Sequence, residues 1–257
     1  MPGVLGEVEY ANGIGAIDGK HIEIECPPNS GSMFFNYKKT FSIVLMAICD
    51  ANYYFTHVDI GAYGSQSDEG IFHNSPVGKA LLTGQLPVPN DKELPGSTTK
   101  FLFYFVGDAA FPLKSYIMPP VPGQLLSEKI LIFNYRLSRA RRIIENSFGI
   151  LVARWRVLKT SMKCFPNNAE TITLACIALH NCIKVNLQSQ TYTHPNYTDW
   201  EDTDGTIHLG EWRREVNPLR QTRFGSNNAA RSAFELREHL ANFFLAEGAV
   251  PFQLNRF

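Results

Sequence analysis

Two aspartates stand where a chain rarely leaves a charge. Asp18 lies inside the alternating segment GAIDGKHIEI, between Ile17 and Gly19, and Asp108 closes the apolar run FLFYFVGD. A carboxylate amid apolar neighbours is costly to bury unless something compensates it. Taken singly, a salt bridge or a helix cap accounts for each. Glu145 alters that reading, because it is the only acid among nine Lys and Arg residues between Lys129 and Lys163. Pairing with Arg141 or Arg142, one turn back, is its bland alternative. Three acids on two strands and a helix are nonetheless what metal-dependent phosphoryl transfer requires. Clustered carboxylates raise one another's pKa unless divalent cations neutralise them. Mg²⁺ or Mn²⁺ takes hard oxygen ligands. Two such ions about 3.5–4 Å apart activate an attacking oxygen and stabilise a leaving one. Asp68, in GSQSDEGIF, is a fourth candidate ligand; as a plain residue it fits equally well at the start of a helix, where it or Ser67 would cap.

The elements that must position these acids are legible in outline. Residues 15–24 alternate as a strand, and residues 25–40 are a loop rich in Gly, Pro, Ser and Asn. FSIVLMAIC (41–49) and YYFTHVDIG (53–61) form a hairpin about the turn Asp50-Ala51-Asn52. Residues 68–83 read as a short helix, 84–100 as a surface loop, and 101–108 as a third apolar strand. Phe133, Leu137, Ala140, Ile144, Phe148, Leu151 and Trp155 follow by threes and fours, which predicts a long helix with one buried face. A second apolar helix spans 168–186 and a last one 228–246. Strands first and helices later predict an α/β or α+β domain around one mixed sheet. The expected division is a catalytic domain over 1–186, then a polar linker and helical tail over 187–257.

Composition narrows the class. The 257 residues are 44% hydrophobic with 18 Phe, enough for a sizeable core. No run of about 18 uncharged apolar residues exists, and MPGVLGEVEY lacks the pattern of a secretory signal. The chain is therefore expected inside the cell, with its five cysteines reduced. Cys176, His180 and Cys182 sit in TITLACIALHNCI, where core packing is preferred over a zinc site because position 182 turns off the shared face. Net charge is zero, 24 basic against 24 acidic, which argues against a non-specific nucleic-acid binder until the basic stretch 129–163 is noticed. Arg136, Arg139, Arg142, Arg154 and Arg156 are its candidates for phosphate contacts, each with a solvated face as the alternative.

Six blocks carry a family likeness: IGAIDGKHIEI, FNYKKTFSIVLMAICDANYYF, VDIGAYGSQSDEGIF, FVGDAAFPL, FNYRLSRARRIIENSFGILVARWRVL and ACIALHNCI. In order and spacing, over residues 10–186, they resemble PIF/Harbinger-type transposases and the nucleases domesticated from them. The resemblance implies an RNase H-like α/β fold and a DDE triad at Asp18, Asp108 and Glu145, with 36 residues between the last two. It implies a further metal ligand at Asp68, although Ala62-Tyr63 stand where a proline-containing pattern is common in that family. Full-length relatives carry a helix-turn-helix region ahead of the core, whereas this chain starts close to its first strand, so a shortened or domesticated form is expected. A Myb-like partner protein belongs to the same expectation, as does location in the nucleus, with the cytoplasm left open.

The expected function is therefore divalent-metal-dependent cleavage of DNA phosphodiester bonds by a two-metal DDE mechanism. One rival is a catalytically silent DNA-binding or recruitment module that keeps the fold. Another is a phosphatase acting on small phosphoesters, which has no need of the basic stretch.

Overall fold

The computed structural model describes residues 11–186, 196–202, 204–215, 229–250 and 253. The N-terminal segment 1–10, most of the expected linker before residue 196, and residues 216–228 lie outside the described residues.

β-Branched and apolar residues build the central sheet. β1 (Gly13–Glu23), β2 (Ser42–Cys49) and β3 (Phe55–Tyr63) form an antiparallel meander. β2 is SIVLMAIC and is buried at every position, as a strand covered on both faces must be. Two short pieces follow in the chain, β4 (Lys92–Glu93) and β5 (Lys100–Phe101), which pair with each other outside the main sheet. β6 (Tyr104–Val106) and β7 (Ile117–Met118) extend the sheet beyond β1 in the parallel sense, giving the order β3-β2-β1-β6-β7. The strand expected over 101–108 is thus split, and only Tyr104–Val106 joins the main sheet.

Helices cover both faces. α1 (Asp68–Asn74) and α2 (Pro76–Leu82) lie where one helix over 68–83 was expected. Pro76 explains the break: the residue before proline is disfavoured in the helical region, and Ser75 is extended (φ −66°, ψ 156°). Ser75 Oγ then accepts from Gly78 N–H and caps the second helix. α3 (Glu128–Arg154) buries Phe133, Leu137, Ala140, Ile144, Phe148 and Leu151 as its periodicity predicts. Its C-terminal half packs with Ala16, Ile22, Leu45 and Ala47 of the sheet and with α4 (Pro166–Asn186). The opposite face of the sheet, through Ile17, Val44 and Met46, meets Ile71 and Phe72 of α1. This is the α/β, RNase H-like arrangement, a mixed five-stranded sheet flanked by helices.

The described residues beyond 186 pack on the rest of the structure. β8 (Trp200–Glu201) and β9 (Ile207–His208) form a hairpin, followed by the single turn α5 (Trp212–Glu215). Trp212 is buried against Gly149 of α3, where an added Cβ would stand 2.6 Å from the indole. α6 (Arg231–Leu245) contributes Leu240, Ala241 and Phe244 to one cluster with Tyr104, Phe133 and Leu137. The composition change near 187 is therefore no structural boundary: apolar positions of the last helix complete the core under the first half of α3. Among the described residues no helix is long and apolar enough to cross a membrane.

Candidate active site

Strand register brings the two aspartates close together. Ala16 of β1 pairs with Val106 of the parallel strand β6, and Asp18 and Asp108 each lie two residues further on. Asp18 therefore shares the face of Ala16 on β1, and Asp108 lies just past the end of the neighbouring strand, which runs about 4.8 Å away. Asp18 Oδ1 accepts from the Gly19 N–H at 2.8 Å, and Asp108 Oδ1 from Ala110 N–H at 2.9 Å as the chain turns away from the sheet. Asp68 arrives from the start of α1. Its Oδ1 lies so near Gly19 that a Cβ there would be 2.2 Å away, so a side chain at 19 would push this carboxylate off the site. Ser67, not Asp68, is the N-cap of α1, accepting from Gly70 N–H. Asp68 is 7% exposed and Asp108 9%.

The electrostatics record this crowding. Burial, then Asp108, then Asp68 push the Asp18 carboxyl well above the usual carboxylate range, with Arg141 pulling the other way. Burial likewise raises Asp108, helped by Glu145 and opposed by the Ala110 amide and Arg141. Glu145 behaves differently. Burial raises it, but Arg141 and Arg213 together outweigh burial and hold its carboxyl below the ordinary value. Arg141 Nη2 donates to Glu145 Oε1 at 2.6 Å, and Arg213 Nη2 to Oε2 at 2.5 Å. The bland pairing with Arg141 thus forms, and Arg141 also faces both aspartates.

Among the described residues no three His, Cys, Asp or Glu side chains stand grouped tightly enough to hold a metal ion. The acids supply suitable donor chemistry without that grouping. Asp18, Asp68 and Asp108 offer only hard oxygens, and Arg141 partly offsets the charge of Asp18 and Asp108. Glu145 does not join them while two arginines hold it.

The arginines depart from expectation. Arg136 is 1% exposed, with Nη1 donating to Gly248 O at 2.7 Å and the guanidinium 4.6 Å over the Phe244 ring, so it ties α6 into the core and is not a surface phosphate contact. Arg139 and Arg142 do share a face beside the buried stripe, yet both pair with Glu201. Arg154 and Arg156, at the end of α3 and just after it, are exposed. Three polar partners went unnoticed in the sequence: Arg213, Asp199, which takes Arg213 Nε at 2.8 Å, and Glu201. They sit in the polar segment expected to be a linker, whose acidic composition was the one available signal. Of Cys176, His180 and Cys182, the first two pack in the core and Cys182 turns away from them. His180 is fully buried, its Nε2 is 2.9 Å from Tyr53 O, Cys182 is exposed, and all five thiols are free.

Comparisons with known proteins bear on the family of the chain. Protein ALP1-like from Arabidopsis thaliana is 32% identical over 185 residues, covering 70% of this chain and 45% of that protein. The chain thus spans about half the length of the curated relative it matches. No solved structure matches. The family described as DDE superfamily endonuclease matches residues 17–181, a stretch that holds all four acids. By that match the chain belongs to the DDE superfamily endonucleases, the group to which its Harbinger-like blocks pointed.

Proposed function

We propose that this protein is a divalent-metal-dependent nuclease, derived from a transposase, that cleaves DNA phosphodiester bonds. The observation that carries the reading is the proximity of Asp18 on β1 to Asp108 just past the end of the adjacent parallel strand β6, with Asp68 packed on Gly19. Buried Asp68 and Asp108, with half-buried Asp18 beside them, are costly to keep charged unless a cation is their partner. Asp18, Asp68 and Asp108, with Glu145 once it leaves its arginines, would hold Mg²⁺ or Mn²⁺, which supplies Lewis-acid stabilisation of the phosphoryl oxygens and a more acidic attacking water. Arg141 keeps the metal-free site from being wholly uncompensated. Arg154 and Arg156 are candidates to meet strand phosphates, which give affinity without sequence choice. DNA as substrate, a Myb-like partner and residence in the nucleus belong to the same proposal.

A second reading, a silent DNA-binding or recruitment module, is favoured by one observation: the Glu145 carboxylate is held by Arg141 and Arg213. Nicking of supercoiled plasmid separates the two. The nuclease reading expects nicked circles with Mg²⁺ or Mn²⁺, none with EDTA, and a rate that falls as salt rises. Duplex binding without nicking at any divalent concentration establishes the silent module instead.

A further inference from the structure

The segment 196–215 is acidic, with six Asp and Glu against two Arg, and it lies along the basic face of α3. Its Glu201 carboxylate is 4% exposed. Tyr135 Oη donates to Oε1, while Arg142 Nη2, at 2.5 Å, and Arg139 Nε, at 3.1 Å, meet Oε2. Three donors from neighbouring positions on one helix thus converge on a single anion. A phosphodiester carries the same charge and the same kind of acceptor oxygens, so exchanging the carboxylate for a strand phosphate leaves every donor satisfied. Fold stability alone gives little reason for this arrangement, since desolvation of a buried ion pair roughly cancels its attraction.

The same segment also reaches the acids. Arg213 holds Glu145 on one side and Asp199 on the other. Asp199 is fixed in turn by Asn146 of α3, whose Oδ1 accepts both Asp199 N–H and Trp212 Nε1–H at 2.9 Å. Trp212 closes the contact by packing on Gly149. One piece of chain therefore occupies two arginines suited to phosphate and one of the two arginines on Glu145, and its departure would leave Glu145 with Arg141 alone.

We propose that residues 196–215 are an autoinhibitory strap, in which Glu201 takes the place of a DNA strand phosphate on α3 while Arg213 withholds Glu145. The inference rests on the nuclease reading for the role of Glu145, but its test does not require cleavage. Binding of a fluorescently labelled DNA duplex is measured in EDTA across a range of salt for wild type, Glu201→Gln and Asp204→Asn. Asp204 is exposed and sits in the same hairpin, so its variant removes equal charge away from α3. Glu201→Gln is expected to bind about tenfold tighter, with a salt slope steeper by about one to two units as Arg139 and Arg142 gain phosphates. Asp204→Asn is expected to stay within about twofold of wild type. Unchanged affinity and slope in Glu201→Gln, or equal tightening in Asp204→Asn, overturns the strap. Hydrogen exchange of the wild type gives a second reading that needs no variant. The Asp199 amide, bonded to Asn146 of α3, is expected to lose protection at saturating duplex. Retained protection in the complex overturns the inference too. Tighter binding by Glu201→Gln with no nicking keeps the strap and ends the nuclease reading; nicking with unaltered Glu201→Gln binding does the reverse.

Discussion

Replacing Asp18 by Asn should make the metal-free protein more stable while removing its capacity to gain from divalent cations. Asn keeps the shape and the oxygen that accepts the Gly19 N–H, and removes a charge that burial, Asp108 and Asp68 all disfavour. Two like charges about 4 Å apart repel by about 4 kcal/mol at an effective dielectric of 20, and by less when further apart. The two acidic neighbours and burial argue for removal of the charge, and lost attraction to Arg141 argues against it. A net gain of about 2 kcal/mol is expected at pH 7, or about 4–8 °C in melting temperature for a domain of this size. The sign with pH follows from linkage. The folded carboxyl is raised above its unfolded value near 3.8, so the native state binds more protons in that window. The contribution of Asp18 to wild-type stability in EDTA is full below 3.8 and is lost as pH rises through the raised folded value. The variant should lose much of that slope, Asp108 supplying the remainder. Thermal melts by circular dichroism at pH 5 and 7, in EDTA and in Mn²⁺, read all of this. At a cation concentration near 100 times its dissociation constant the wild type should gain about 2.7 kcal/mol, and the variant much less. A variant that melts below wild type in EDTA, or with the same pH slope, refutes the electrostatic reasoning.

Arg136→Met should lower stability by about 3–5 kcal/mol through lost hydrogen bonds to Gly248 and Gln253 and a lost contact with Phe244, as read by urea unfolding. It should leave the salt slope of duplex binding unchanged, because no phosphate contact is removed. Gly19→Ala places a methyl where Asp68 Oδ1 now lies, and should abolish most of the Mn²⁺-induced rise in melting temperature while the far-ultraviolet spectrum stays native.

How far the sequence revealed the site depends on which interaction positions each residue. Asp18 and Asp108 were legible because a carboxylate in an apolar run breaks a local pattern that one strand suffices to display. Their proximity was not, since it depends on the Ala16–Val106 register between residues 90 positions apart in the chain. The long helix announced its buried face by period alone. Arg136 shows what that period already contained: it lies three residues after Phe133 and four before Ala140, on the buried side, and counting positive charge concealed its phase. The break at Ser75–Pro76 follows from proline chemistry. The strap was not legible, because its hold on α3 consists of single side-chain pairs, Glu201 with Arg139 and Arg142 and Arg213 with Glu145, which leave no periodic mark.

The central claim, that Asp18, Asp108 and Glu145 act together in metal-dependent strand cleavage, is tested most directly by initial rates of plasmid nicking in Mn²⁺. Wild type, Asp18→Asn, Asp108→Asn and Glu145→Gln are compared at equal protein concentration, after melts confirm that each is folded. Removal of members of one catalytic unit is strongly non-additive, so each variant should fall by about 10³-fold or more, and the double variant Asp18→Asn, Asp108→Asn should fall little further. Nicking by Asp108→Asn at the wild-type rate would contradict the account.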